Sequence, residues 1–314
     1  MTAPIRHALV TGGAGFIGSH LTNALIRQGA HVSVIDNLST GKEANLADAG
    51  PDVDLVVGDI RDQALVRRLV QDVDVVFHQA AIVSVPLSVE QPLESDAVNA
   101  AGTLGVLDAA REAGCRRVVL ASSSAVYGDD PELPKRESSP FQPLSPYAVQ
   151  KMTGEYYAGL YSRLFGLETA CLRYFNVFGP RQDPSSPYSG VISIFMDRAA
   201  SGRAPVIYGD GEQTRDFVFV QDVVSANLRA ATKAGAVGKA FNIGTGSAIT
   251  INRLWQQVAK LGGIEMPPEY REPRDGDIRH SVAAIDQARE DLGFHPATPF
   301  KEGLAKTYAW HLND

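Results

Sequence analysis

Cysteine is scarce: Cys115 and Cys171 are the two among 314 residues, far apart and outside any Cys-x-x-Cys pattern. A disulfide framework and a thiolate metal site are therefore not expected, and a reducing cytoplasm suits the chain best. The seven histidines form no metal-ligand spacing either. No apolar run is long enough to cross a bilayer. The first apolar stretch is broken by four glycines between Gly12 and Gly18, unlike the core of a signal peptide. Basic excess is absent too. Lys and Arg number 29 against 36 Asp and Glu, a formal net charge of −7, which argues against a broad electrostatic grip on nucleic acid or an anionic membrane. What remains is 44% hydrophobic and 21% charged, the make-up of an ordered globular protein. Its length exceeds one usual domain and allows two layers over a sizeable core.

Short apolar runs alternate with longer amphipathic ones through the first two thirds of the chain. The strand candidates are His7–Thr11, His31–Asp36, Asp54–Asp59, Asp74–Gln79, Arg117–Ser122 and Glu168–Tyr174. Each is rich in Val, Ile or Leu and carries few charges before its last residue, as strands covered on both faces do. Helical spacing lies between several of them, for example Phe16, Leu21, Ala24 and Leu25, with Gly29 as the stop. This alternation implies an α/β fold with a doubly wound parallel sheet and right-handed crossovers. After Tyr174 the texture changes. Pro180, Pro184, Pro187 and Pro205 punctuate shorter elements, and the stretch from Gly262 to Asp277 is dense in Pro, Gly and charge. The chain therefore reads as a sheet domain over 1–175 with a smaller lobe over 176–220 and 245–314. Residues 221–244 return to the sheet through a helix at Asp222–Gly235 and a strand at Ala240–Gly244. No internal repeat is present.

The first strand runs into Thr11-Gly12-Gly13-Ala14-Gly15-Phe16-Ile17-Gly18 and then a helix. Glycines let backbone N–H groups approach a pyrophosphate, and the helix N-terminus adds partial positive charge. The spacing is GxxGxxG, one residue longer in the first gap than the usual dinucleotide fingerprint. Strand before and helix after give the motif its context. Asp36 closes the second strand, near the spacing expected for an acid that binds ribose hydroxyls. A carboxylate there repels a 2′-phosphate, which favours NAD over NADP; the plainer alternative is a helix or turn cap. Asp59-Ile60 follows the third strand and could hold an adenine amine or form an ordinary turn.

Tyr147 and Lys151 are four apart in Ser145-Pro146-Tyr147-Ala148-Val149-Gln150-Lys151. Ser145 is a good N-cap and Pro146 suits the first helical position, so a helix should start here with both side chains on one face. A free tyrosine titrates near pH ~10. A neighbouring ammonium, a cationic nicotinamide and the helix N-terminus would all favour its phenolate. An ordinary surface Tyr–Lys pair has the same spacing. The fifth strand adds weight, because it ends in Ala121-Ser122-Ser123-Ser124-Ala125-Val126-Tyr127-Gly128. The carboxyl ends of parallel strands face the ligand crevice. A serine there can hydrogen-bond a substrate hydroxyl that the tyrosine deprotonates; turn chemistry accounts for at least one of the three.

These motifs together resemble the extended short-chain dehydrogenase/reductases, within the NAD-dependent nucleotide-sugar epimerase group. The likeness also covers His78-Gln79-Ala80-Ala81, Arg173-Tyr174-Phe175-Asn176-Val177-Phe178-Gly179-Pro180, Gly209-Asp210-Gly211 and Arg215-Asp216-Phe217, nearly the whole chain. It is greatest to UDP-N-acetylglucosamine 4-epimerases, with UDP-glucose and UDP-glucuronate 4-epimerases close behind. The resemblance implies a Rossmann fold over 1–175 with a C-terminal substrate lobe. It implies Tyr147 as base, Lys151 on the nicotinamide ribose, and Ser123 on the sugar C4 oxygen. Gly12, Gly15, Phe16, Ile17, Gly18, Asp36, Asn37, Asp59, Ile60, Gln79, Ala80, Ala81, Asn99, Ser122 and Tyr174 would complete the NAD site. Ser84, Ser124, Asn176, Tyr208, Arg215, Arg274, Asp277 and Ser281 would touch the UDP-sugar. Among these, Asn176 and Arg215 would hold the diphosphate, with Arg274 and Asp277 closing over the nucleotide and Tyr208 packing on uracil. Surface salt bridges are the plainer alternative for the arginines, and a core position for Tyr208. Ser281 matches the position that borders the sugar C2 substituent, where Ser or Cys goes with acceptance of an acetamido group and Tyr with its exclusion; a surface loop serine is the alternative.

The implied reaction moves a hydride from sugar C4 to bound NAD, lets the 4-keto sugar turn, and returns the hydride to the other face. A dehydratase or decarboxylase on the same scaffold is one rival. Resembling enzymes of those kinds carry an acid directly after the position of Ser123, where this chain has Ser124 and Ala125. A non-catalytic, redox-sensing dinucleotide binder is the other; such relatives lose the Tyr–Lys pair. The segments Ala97–Ala113 and Tyr147–Phe165 carry apolar residues on more than one face, with Tyr156, Leu160 and Leu164 beside Tyr157, Tyr161 and Phe165. A second apolar stripe implies a second contact, and the resemblance implies a homodimer joined by a four-helix bundle. Burial by the substrate lobe is the alternative.

Overall fold

Strands that are apolar at successive positions need cover on both faces, and helices supply it. The computed structural model describes residues 4–183, 190–273 and 278–313. Six strands come first: β1 (His7–Thr11), β2 (His31–Asp36), β3 (Val53–Val57), β4 (Val75–His78), β5 (Arg117–Ser123) and β6 (Glu168–Tyr174). A seventh, Lys239–Ile243, pairs with β6 at one edge, and the order across the sheet is Lys239–Ile243, β6, β5, β4, β1, β2, β3. Every pairing is parallel. Val10, Val34, Phe77, Val119 and Leu172 point to one face, packed with the helices Phe16–Arg27 and Val220–Thr232. Their neighbours Leu9, Ile35, Val76, Leu120 and Cys171 point to the other, under Thr103–Glu112 and Pro146–Phe165. The sheet is doubly wound, as the alternation of elements implies. Chain order reverses between β1 and β4, which opens a crevice beyond their carboxyl ends.

Two expectations need correction. The third strand ends at Val57, short of Asp59, and its residues are only half-buried, with Val57 59% exposed. It is the edge strand, so one side of its ladder and part of its face meet solvent. The segment Ala97–Ala113 is not one regular helix either. Pro92–Asp96 is α-helical, Ala97–Gly102 widens to a π-helical turn, and Thr103–Glu112 resumes the α-helix. The widened turn contains Asn99, whose amide brackets the backbone of Ile82: its Oδ1 accepts from the Ile82 N–H at 2.8 Å and its Nδ2 donates to the Ile82 carbonyl at 2.9 Å. π-helical turns often occur where a side chain is re-aimed.

The later residues build a second apolar cluster around Phe178, Phe195, Trp255, Val258, Leu304 and Tyr308. It lies under the helices Val191–Ala200, Ile251–Gly262 and Phe300–His311. Asp216, wholly buried, joins this part to the sheet. Its carboxylate accepts from the N–H groups of Thr245, Gly246 and Ala283 and from the Thr245 hydroxyl. Among the described residues no helix is long and apolar enough to cross a membrane.

Candidate active site

The glycine loop closes against β4 more tightly than side chains allow. A Cβ on Gly12, where φ is +68°, would stand 2.8 Å from the Ala80 backbone, and one on Gly18 would stand 2.1 Å from the Gly12 carbonyl oxygen. Gly15 caps the helix Phe16–Arg27 with its own N–H turned back to the Gly12 carbonyl at 3.2 Å, so the N–H groups of the first turn, at Phe16 and Ile17, are the ones without an intrahelical acceptor. Asp36 ends β2 beside them. One carboxylate oxygen accepts from the Ala14 N–H and the other from Leu38 N–H, both at 2.9 Å. Each oxygen keeps a second lone pair, so the acid both braces the loop and retains capacity for ribose hydroxyls. The cradle fits a dinucleotide. Beyond β3, Asp59 is held by the Arg61 guanidinium and by the Asn37 amide at 3.1 Å, and the Arg61 hydrogen bonds draw its carboxyl down to about 2. Ile60 is buried, with its side chain against Gly102.

Behind the loop runs a chain of hydroxyls and one imidazole. Thr103 donates to the Asn99 carbonyl at 2.6 Å, so it accepts from His78 Nε2–H at 2.9 Å. That leaves His78 Nδ1 to accept from Thr11 at 2.7 Å, while Thr11 accepts from the Ala80 N–H. Burial holds His78 down to about 3, so it stays neutral and fixes β1 to β4. Gln79 and Tyr174 meet at 3.2 Å, each also bonded to Asn227 on the helix Val220–Thr232.

Ser145 caps the next helix through the Ala148 N–H, and Pro146 begins it, as its sequence requires. Tyr147 and Lys151 share its buried face, and Ser123 at the end of β5 lies beside the Tyr147 phenol. The Lys151 ammonium donates to the Ala121 carbonyl at 2.8 Å and lies 5.8 Å from the centre of the Tyr147 ring. Burial pushes the phenol above its ordinary value, with the Ser123 hydroxyl pulling the other way. In the chain alone desolvation dominates, and burial also drives Lys151 down to about 8.

Reading the sequence missed what stands behind this trio. Ser122 does not face the crevice; its hydroxyl donates to Glu155. Glu155 in turn takes the Arg173 guanidinium on both oxygens, with Nη2 at 2.7 Å, in a pair almost free of solvent. Arg173 also donates to the Tyr127 hydroxyl at 2.7 Å, and Tyr127 donates to Asn242 at 2.6 Å. Asn242 closes the chain on the carbonyls of Lys135 and Ala284. The signal was present in the spacing, because Tyr147, Lys151 and Glu155 recur every four residues and so share a helix face.

The other predicted positions lie on separate elements. Ser84 caps the helix Val85–Glu90 through the Leu87 N–H, and Ser124 opens a short turn after β5. Asn176 begins a strand paired with Phe217–Phe219, half-buried. Tyr208 lines a cavity of about 550 Å³ together with Gln213, Tyr270, Arg271 and Arg279. Arg279 is held bidentately by Asp210, at 2.7 and 2.8 Å. Arg215 is half-buried on the strand next to that cavity's Gln213, and Ser281 is buried with its N–H on the Thr214 carbonyl at 3.1 Å. Arg274 and Asp277 lie outside the described residues. The described residues contain no cluster of side chains suited to a metal ion.

A dinucleotide cradle beside a Ser–Tyr–Lys group on a seven-stranded parallel sheet defines the class. The profile of the NAD dependent epimerase/dehydratase family matches residues 8–244, and the chain belongs to that family. It is 42% identical over 309 residues to a UDP-glucose 4-epimerase of Mycolicibacterium smegmatis, covering 97% of this chain and 98% of the relative. A solved UDP-N-acetylglucosamine 4-epimerase from Methanobrevibacter ruminantium, in complex with UDP-N-acetylmuramic acid, superposes with a TM-score of 0.95 at 40% identity, covering 99% of each chain. The Thermus thermophilus UDP-glucose 4-epimerase complexed with NAD gives 0.87 at 37% identity, covering 97% of this chain and 98% of that one.

Asp36→Ala should weaken NAD retention about tenfold or more, since hydrogen bonds to a charged acceptor are lost along with the brace on Ala14. Relative tolerance of NADP should rise. Native mass spectrometry of the purified variant measures bound dinucleotide, and unchanged NAD content would rule Asp36 out as the ribose acid.

Proposed function

We propose that this protein is an NAD-dependent UDP-sugar 4-epimerase that interconverts UDP-N-acetylglucosamine and UDP-N-acetylgalactosamine, and also UDP-glucose and UDP-galactose. The observation that carries this reading is the meeting of Tyr147, Ser123 and Lys151 at the carboxyl end of β5, beside a glycine cradle. Ser124 and Ala125 follow Ser123, so the acid used for elimination in dehydratases is absent from that position. The relatives named above as UDP-glucose and UDP-N-acetylglucosamine 4-epimerases support the same activity.

In this mechanism Ser123 holds the sugar C4 oxygen and the Tyr147 phenol oxygen takes its proton. When bound, NAD would supply the hydride acceptor. Gly12, Gly15 and Gly18 would hold the pyrophosphate, Asp36 the adenosine ribose and Lys151 the nicotinamide ribose. Arg215 and Asn176 grip the sugar's diphosphate, because a guanidinium matches phosphate oxygens, and Tyr208 offers a ring face to uracil. After the keto sugar turns, Tyr147 returns the proton to the same oxygen. No net redox or proton change results, so the cofactor stays bound.

Ser281 supports the N-acetyl substrates. It is a small side chain, buried beside the Thr214–Arg215 strand, where a larger one would fill the volume an acetamido group needs. We also infer a cytoplasmic homodimer. On the helix Pro146–Phe165, Tyr156, Leu164 and Phe165 are each more than half exposed, an apolar stripe that a second copy would cover. Light scattering coupled to size exclusion should give twice the chain mass; a stable monomer would exclude this interface.

Tyr147→Phe should keep the fold and bound NAD but lose turnover on the order of 10²–10⁴-fold, the usual weight of a general base. A coupled assay on UDP-galactose measures it, and near-normal turnover would mean that another group is the base. Ser281→Tyr should suppress the N-acetylated pair by on the order of 10-fold or more and spare UDP-galactose. Equal slowing of both pairs, or of neither, returns the substrate to an unspecified UDP-sugar.

A further inference from the structure

The buried ion pair behind the site has no part in the chemistry described so far, yet it touches every element that carries that chemistry. Glu155 is one helical turn beyond Lys151, and both side chains are buried. Its carboxylate receives the Ser122 hydroxyl, next in sequence to Ser123, and the Arg173 guanidinium, next to Tyr174. Through Arg173 it reaches Tyr127 and Asn242, and so the carbonyls of Lys135 and Ala284 near Ser281. Resting on the reading of Lys151 as partner of Tyr147, we propose that Glu155 is a positioning residue of the active site: its carboxylate, anchored by Arg173 and Ser122, is the counter-charge that keeps Lys151 an ammonium beside Tyr147.

The surroundings leave few other candidates for that role. On the same helix Lys151 meets Tyr147, a neutral phenol, and Glu155. From β5 it meets the Ala121 carbonyl. From β4 it meets His78, neutral in its buried hydroxyl chain, while the β6 groups stand by Glu155: Arg173 is paired with it, and Cys171 carries a thiol that burial pushes well above its ordinary value. Glu155 is thus the anion among the groups that face this ammonium. Burial alone disfavours the charged lysine, and the Glu155 charge opposes that effect. Arg173 serves as the fastener that makes a buried carboxylate tolerable in this position, because an unpaired one would be expelled or neutralised.

The test is the pH dependence of kcat at saturating UDP-galactose. If activity needs the ammonium, it falls as pH rises through the Lys151 titration. Glu155→Gln removes the attraction, so the ammonium is lost sooner and the alkaline limb should move down by about one pH unit. Glu155→Asp keeps the charge, so its limb should stay at the wild-type position even where kcat drops. A Glu155→Gln limb that does not move, or an equal movement in Glu155→Asp, overturns the proposal. Should Glu155→Gln fail to fold with Arg173 unpaired, Glu155→Gln/Arg173→Gln removes both charges and should still move the limb down, by less than one pH unit because the repulsion from Arg173 is lost as well; a limb that stays or moves up overturns it. Persistent turnover in Tyr147→Phe would instead sink the epimerase mechanism itself, so the two failures are distinguishable.

Discussion

The crevice depends on one close approach of backbone to backbone. Gly12 lies against Ala80 with no room for a Cβ, and Gly18 lies against Gly12 with less. β1 and β4 are hydrogen-bonded neighbours whose following loops leave in opposite directions, because their crossovers lie on opposite faces of the sheet. Only with glycine at the first bend can the two loops stay this close. The Thr11–His78–Thr103 chain then holds the two strand ends at that distance. Asp36 reaches the loop from the third side through the Ala14 N–H. Everything that faces a ligand is placed relative to this junction.

Around it the protein handles buried charge in two ways. Asp216 is alone among apolar neighbours but receives four donors from segments on either side, so a single carboxylate organises a loop crossing. Glu155 and Arg173 are paired, and their remaining capacity is filled by Ser122, Tyr127 and the Glu137 carbonyl. Both arrangements satisfy groups that would otherwise cost several kcal/mol each to bury. Such networks select one packing of the later segments on the sheet, because a shift would leave the donors without acceptors.

The large sheet is legible in the sequence because local signals agree there. β1, β2 and β6 begin and end where their apolar runs do, and Ser145-Pro146 marks a helix start that the cap geometry shares. β3 reads too long because an edge position cannot be told from a central one by composition. The widened turn at Ala97–Gly102 is invisible because alanines and glycines accept either helical geometry. Within the site, side chains with a motif around them stand out, whereas Glu155, Asn227, Asn242 and Asp216 do not. Their partners lie from a few turns to more than a hundred residues away, so no local pattern announces them. The Tyr147 phenol shows the same limit: spacing gives its neighbour, but burial sets the direction of its titration.

The seventh strand has a consequence for anyone who would transplant this scaffold. β6 is buried along most of its length, and Lys239–Ile243 closes its outer ladder from residue 170 to residue 174. A chain cut after Tyr174 would bare that edge, an invitation to pair with another molecule. It would also remove Asn242, on which Tyr127 closes, and Asn227, on which Gln79 and Tyr174 converge. The cofactor-binding half is therefore continuous in space and interrupted in sequence. A chimera that borrows it must carry the helix Val220–Thr232 and the strand after it, and must route the residues between Tyr174 and that helix as an insertion between two parts of one sheet.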